Sequence, residues 1–137
     1  VGVAINKKKK IIYVKEHLYK PKLTTTQIAY INLDVCKTSL IVGDSAEPRL
    51  IDELYRMGCN IVAAEKGQGS ISLGIALLQD YQIILEENST NIAKEFNNYI
   101  YADKGSKLFV DNYNHAIDAI RYIVTYILGR SSGIEIR

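Results

Sequence analysis

Residues 39–65 read SLIVGDSAEPRLIDELYRMGCNIVAAE. Two apolar runs of strand length, SLIVGD and NIVAAE, flank a segment with Pro48 in the first turn of a helix and Gly58 at its stop. Strand, helix and strand joined by short connections predict a β-α-β unit, whose two strands must lie parallel. The pattern continues on the C-terminal side. KGQGS is a glycine-rich turn, SISLGIALLQD a helix and YQIILEE a further strand. Ser89 or Thr90 caps the helix NIAKEFNNY, and the polar loop ADKGSK leads through LFV into a last helix and the tail SSGIEIR. On the N-terminal side, VGVAIN and IIYVKEHLY are rich in β-branched and aromatic residues, and Lys7 to Lys10 separate them, which predicts a hairpin with a basic turn. Pro21 ends its second strand, and Thr24 with Gln27 forms a capping box that opens the helix TTTQIAYINL.

The predicted order is β-β-α-β-α-β-α-β-α-(β)-α, an α/β three-layer domain over residues 1–130 with a flexible tail at 131–137. SLIVGD, NIVAAE and YQIILEE are expected in one parallel or mixed sheet beside the hairpin, with helices on both faces. The 137 residues, 47% hydrophobic and 23% charged, favour a single globular domain. Seventeen basic and fifteen acidic residues leave a net charge of +2, which neither demands nor excludes a polyanionic partner. Cys36 and Cys59 are isolated, with no CxxC partner, and are expected as reduced, half-buried thiols. No apolar run reaches about 18 residues, so a soluble intracellular protein is expected.

Function in open α/β sheets collects at the carboxyl ends of the strands. Asp44 stands at such an end, straight after LIVG, where it either faces a crevice or, with Ser45, caps the helix that begins near Pro48. Glu47 is either a second ligand or, more simply, a first-turn glutamate that satisfies the helix dipole. In DNYNHAIDAIRY, residues 111–122, a helical step of about 100° puts Asp111, His115, Asp118 and Tyr122 on one stripe, with Asn114, Arg121 and Thr125 flanking it. Ala116, Ile117, Ile120, Ile123, Val124, Ile127 and Leu128 cover the opposite arc. Asp111 suits an N-cap. Asp118 lies well inside the predicted helix, where aspartate is a poor helix former, and its simplest partner is Arg121 at i+3. Carboxylates from a strand end and a packed helix suit a hard divalent cation, which takes oxygen ligands and keeps several waters. His115 could position water or touch phosphate, or be structural. Lys66 and Ser70, at a helix start after a glycine turn, are candidates to meet a DNA phosphate. The chain has no GxxxxGK[ST], no GxSxG and no HExxH.

GDSAEPRLIDELYRMG, KGQGSISLGIALLQ and DNYNHAIDAIRY, in that order and spacing, resemble the C-terminal nuclease domain of the tailed-bacteriophage terminase large subunit. The resemblance covers nearly the whole chain. It implies a ribonuclease-H-like fold and an endonuclease that cuts concatemeric viral DNA during packaging with two Mg²⁺ or Mn²⁺ ions. It implies that Asp44 is the metal acid of the strand cluster, Asp118 the acid of the final helix and Asp111 an auxiliary acid, with His115 beside them. Double-stranded DNA, the terminase ATPase domain, the small subunit and the portal are the implied partners, in the host-cell cytoplasm, for a phage or prophage gene. One departure stands out. The family's first acid lies on a first, central strand in a D-(W/F)-G-(Y/F) segment, whereas VGVAIN and IIYVKEHLY match the second and third strands. That strand is expected to be absent from this chain, leaving unpaired edges on VGVAIN and SLIVGD. These two edges close onto each other, another chain fills the gap, or the chain is a fragment. The competing expectation is a catalytically silent DNA-binding or assembly module of the packaging motor. It would work through Lys7 to Lys10, Lys66, Lys104 and Lys107.

Overall fold

The computed structural model describes residues 1–103 and 114–131. The elements are β1 (Gly2–Asn6), β2 (Ile11–Lys15), α1 (Thr25–Cys36), β3 (Ile41–Gly43), α2 (Pro48–Arg56), β4 (Ile61–Ala63), α3 (Ser70–Gln79), β5 (Gln82–Leu85), α4 (Thr90–Asp103) and α5 (His115–Ser131). The expected order is present. The short strand at LFV falls outside the described residues, as does the tail beyond Ser131.

Local signals act where the sequence puts them. Thr24 and Gln27 form both halves of the capping box on α1, and Pro48 opens α2. α2 ends at Arg56, and Gly58 just beyond its C-cap takes a φ of 104°, which a side chain would resist. β1 and β2 pair antiparallel, with Gly2 opposite Lys15 and Asn6 opposite Ile11. Within the basic turn Lys10 takes a φ of 53° and turns its ammonium to Asp80 at 2.8 Å, so part of that charge is already answered.

One expectation fails. YQIILEE (β5) does not join the strands SLIVGD and NIVAAE. It pairs parallel with β2 in a sheet ordered β1-β2-β5, while β3 and β4 pair parallel in a separate two-stranded sheet. The edges of β1 and β3 flank a cleft of about 580 Å³, lined by Val1, Gly2 and Val3 on one side and Leu40, Ile41 and Val42 on the other. α1 contributes Ile31 and Val35 to the cleft, and α5 contributes Ala119, Ile123 and Ile127. The edges do not close onto each other, because side chains of two helices line the space between them.

Two cores follow from two sheets. Alternation along β2 turns Ile12 and Val14 inward and leaves Tyr13 exposed. Ile12 and Val14 pack with Leu78, Ile92, Ala116, Ile120, Val124 and Leu128. The smaller core joins Ala29, Leu54, Cys59 and Ile61 under α1 and α2. Helix α5 packs on α3, α4, β1 and β3, so it touches strands of both sheets. Cys36 is half-buried and Cys59 buried, both as free thiols, and burial pushes the Cys59 thiol up from its ordinary value. Among the described residues no helix is long and apolar enough to cross a membrane.

Two helices take their N-terminal caps from distant carboxylates. Glu16, just past β2, accepts from Ile92 N–H at 3.0 Å and from Asn91 Nδ2 at 2.8 Å at the start of α4. Ser89, expected as that helix's cap, instead accepts from Glu16 N–H with its hydroxyl at 2.9 Å. Glu95 on α4 is 1% exposed and accepts from Ala116 N–H at 2.9 Å, Ile117 N–H at 3.0 Å and the Tyr19 hydroxyl at 2.7 Å. Its oxygens lie at the N-terminal end of α5, where three donors satisfy them despite full burial.

Candidate functional site

The site is built from the carboxyl ends of β3 and β4 and from the first turns of α5. β3 ends at Gly43, where an added Cβ would come within 3.2 Å of Ile51 and 3.3 Å of Ile61, so the strand packs closely there. The next residue, Asp44, leaves the sheet. Its Oδ1 accepts from Ala46 N–H at 2.9 Å, a local turn that precedes the helix. Asp44 therefore does not cap α2. Glu47 takes the N-cap position without a side-chain hydrogen bond.

The parallel register sets Gly43 opposite Ala63, and Ala64 N–H donates to Gly43 O at 2.7 Å. Both strands thus end side by side, and the segment leaving β4 carries Lys66 back to Asp44, where its ammonium donates to Oδ1. That hydrogen bond holds the Asp44 carboxyl below its ordinary value and pushes the Lys66 ammonium up.

α5 supplies the other half. Asp118 lies in the first turn of α5, which begins at His115, rather than well inside the helix as expected. Its carboxylate there is favoured by the dipole, and the first amides of the helix are already answered by Glu95. Arg121 donates to Asp118 Oδ1 at 3.1 Å. This is the anticipated i, i+3 pair, but it is no loose surface contact, because the Arg121 side chain is only 9% exposed. The room for it comes from Gly74 on α3, where a Cβ would lie 2.2 Å from Arg121 Cγ and 2.7 Å from Cδ. Only glycine admits the arginine stem at that crossing.

Tyr122 links the two halves. The Lys66 ammonium lies 5.2 Å from the centroid of its ring and the Arg121 guanidinium 4.9 Å from it. A continuous run of contacts therefore leads from Asp44 through Lys66, Tyr122 and Arg121 to Asp118. Each carboxylate is met by a protein cation. Among the described residues no group of three or more histidine, cysteine, aspartate or glutamate side chains gathers as a metal cage. Carboxylate oxygens completed by water are the donors that a hard divalent cation takes, and Asp44 and Asp118 supply that donor type here.

His115 is exposed at the first position of α5. Ser70 opens α3, half-buried, behind Gly69 at a φ of 80°. Asp111, expected at the rim of the site, lies outside the described residues, as do Lys104 and Lys107. The Lys66 ammonium faces Asp44. Sequence reasoning missed the roles of Glu95 and Gly74. A glutamate in a helix otherwise apolar on that side, and a glycine inside SISLGIALLQ, were the only local signals.

Comparison with known proteins bears on the family and the fold. The family described as "Terminase RNAseH like domain" matches residues 1–125. The large terminase subunit of Bacillus phage SPP1 is 34% identical over 126 residues, covering 85% of this chain and 30% of that protein. The PBSX phage terminase large subunit of Bacillus subtilis (strain 168) is 29% identical over 128 residues, covering 89% of this chain and 30% of that protein. The chain thus spans about a third of the length of these relatives. The crystal structure of the SPP1 large terminase nuclease domain with bound Mn superposes with a TM-score of 0.74 at 32% identity, over 88% of this chain and 73% of that one. By sequence and fold, the chain belongs to the ribonuclease-H-like domain family of terminase large subunits.

Proposed function

We propose that residues 1–130 form a metal-dependent DNA endonuclease domain that cuts concatemeric viral DNA during genome packaging, by two-metal phosphodiester hydrolysis. The observation that carries the proposal is the run of contacts joining Asp44 at the end of β3 to Asp118 on α5. Asp44 and Asp118 are the residues that would hold the ion, and Arg121 fixes the rotamer of Asp118. A bound Mg²⁺ or Mn²⁺ supplies Lewis-acid activation of water and neutralises the leaving oxygen. His115, exposed at the helix start, would orient water or contact phosphate. Asp111 is carried as a further acid by the family resemblance alone. Lys66 and Ser70 are assigned to the DNA backbone. The partners proposed are double-stranded DNA, the ATPase domain, the small terminase subunit and the portal, in the cytoplasm of the host cell.

The test is plasmid nicking by this chain, and by a chain extended at its N-terminus, with Mn²⁺, Mg²⁺ or EDTA. Cleavage by the extended chain that needs Mn²⁺ or Mg²⁺ and is lost in Asp44→Ala and Asp118→Ala supports the proposal. DNA retained in EDTA, with no nicking by either chain, favours the silent binding module instead.

A further inference from the structure

The two cations at the site are held in different ways. Arg121 is buried, its stem pressed against Gly74, and its guanidinium is fixed on Asp118. Lys66 is 38% exposed and stands at the head of a segment containing Gly67 and Gly69. A Cβ built on either glycine meets nothing within 4 Å, so both glycines face open space. Lys66 belongs to neither core, so its side chain can leave Asp44 without disturbing either.

We propose that Lys66 and a divalent cation are alternative occupants of the Asp44 carboxylate, so that metal loading expels the Lys66 ammonium while the Arg121–Asp118 pair stays in place. This rests on the metal-site reading above. The physical reason is local charge balance. Asp44 already carries one full counter-charge and its Oδ1 already accepts from both Ala46 N–H and Lys66, so a divalent cation on the same carboxylate would repel the Lys66 ammonium at close range. Lys66 then serves the unloaded state as a stand-in cation, sparing Asp44 an unanswered negative charge beside Tyr122. Once released it is the mobile positive group of the site.

Two measurements on the 137-residue chain test this with Mn²⁺ alone. In the first, Mn²⁺ binding is titrated by electron paramagnetic resonance for the native chain, Lys66→Met, Lys66→Arg and Asp44→Asn. Lys66→Met is expected to bind Mn²⁺ about three- to five-fold tighter, the scale of a half-exposed ion pair. Lys66→Arg should stay near the native value, and Asp44→Asn should lose the site. In the second, pulsed acetylation read by mass spectrometry compares Lys66 with Lys10, which is paired with Asp80 away from the site. Lys66 labelling should rise with Mn²⁺ while Lys10 labelling stays constant. Asp44-dependent Mn²⁺ binding with unchanged Lys66 labelling overturns the exchange and leaves the metal site standing. No Asp44-dependent Mn²⁺ binding in any variant overturns the metal site, and the exchange with it.

Discussion

Asp44 accepts from two donors, one of them fixed in its own turn and one delivered from the neighbouring strand's end. The consequence for pH follows from the directions of the shifts. Asp44 titrates below its ordinary 3.8, chiefly through Lys66, so its contribution is present above that value and is lost as pH falls through the folded-state value. Lys66 titrates above its ordinary 10.5, chiefly through Asp44, so its contribution is present below that value and is lost as pH rises through the folded-state value. Between the two the pair stabilises the protein by a constant amount. Because both side chains are more than a third exposed, that amount is at most about 1 kcal/mol. Lys66→Met should therefore lower the melting temperature slightly and equally from about pH 5 to pH 9. The difference from the native chain should shrink toward pH 3. A difference that already shrinks near pH 6 would assign the stabilisation to another group. At this scale the sequence displayed Asp44 plainly, by its place after an apolar run. It could not display Lys66 as its partner, because a residue 22 positions away is brought there only by the parallel pairing of β3 and β4.

Among the elements, α5 is the one on which the site depends, and two residues outside it set its position. Glu95 answers Ala116 N–H, Ile117 N–H and the Tyr19 hydroxyl from within the core. Glu95→Gln keeps the shape but leaves one oxygen to accept and removes the charge facing the helix dipole. Urea denaturation should show a loss of about 2–3 kcal/mol with an unchanged m value. The same change in the exposed Glu53 should cost about 0.5 kcal/mol or less. Gly74 sets the distance between α3 and α5. Alanine is the better helix former by about 1 kcal/mol, yet its Cβ would fall 2.2 Å from Arg121 Cγ, well inside contact. Overpacking of that kind costs about 1–3 kcal/mol, so Gly74→Ala should be net destabilising and should displace Arg121 from Asp118. A Gly74→Ala protein as stable as the native one would mean that α3 and α5 separate freely. The helix spacing of DNYNHAIDAIRY made the apolar arc legible: Ala116, Ile117, Ile120, Val124 and Leu128 are buried as expected. The burial of Arg121 and Thr125 was not legible, because it depends on which helix packs beside them and where that helix carries a glycine.

For the whole molecule, the open feature is the cleft between β1 and β3. Two strand edges carry backbone groups toward it, and its walls are largely apolar, which is the form of a place where a further strand would find partners. A chain extended at its N-terminus should melt higher than the 137-residue chain, by several degrees. Amides of β1 and β3 should gain protection from hydrogen exchange in the extended chain. On the proposed metal site, the 137-residue chain should bind divalent metal weakly and nick DNA poorly, since two carboxylates would hold one ion and a two-metal hydrolase needs a shared acid. Strong Asp118-dependent cleavage by the short chain would show that the shared acid lies elsewhere in these residues. Unchanged exchange at β1 and β3 would show that the cleft is not a strand site.

The sequence alone determined the order of elements, the antiparallel hairpin, the parallel β3–α2–β4 unit and the family, because caps, turns and hydrophobic periods act within a few residues along the chain. It also placed Asp44 at a strand end and Asp118 on the polar side of α5. The tertiary structure decided that the strands divide into two sheets, that Lys66 and Arg121 occupy the two carboxylates, and that Glu16 and Glu95 cap helices 76 and 21 residues away. Those contacts are fixed by how packed helices and sheets dock, and docking depends on the shape of the whole core rather than on any local run of residues.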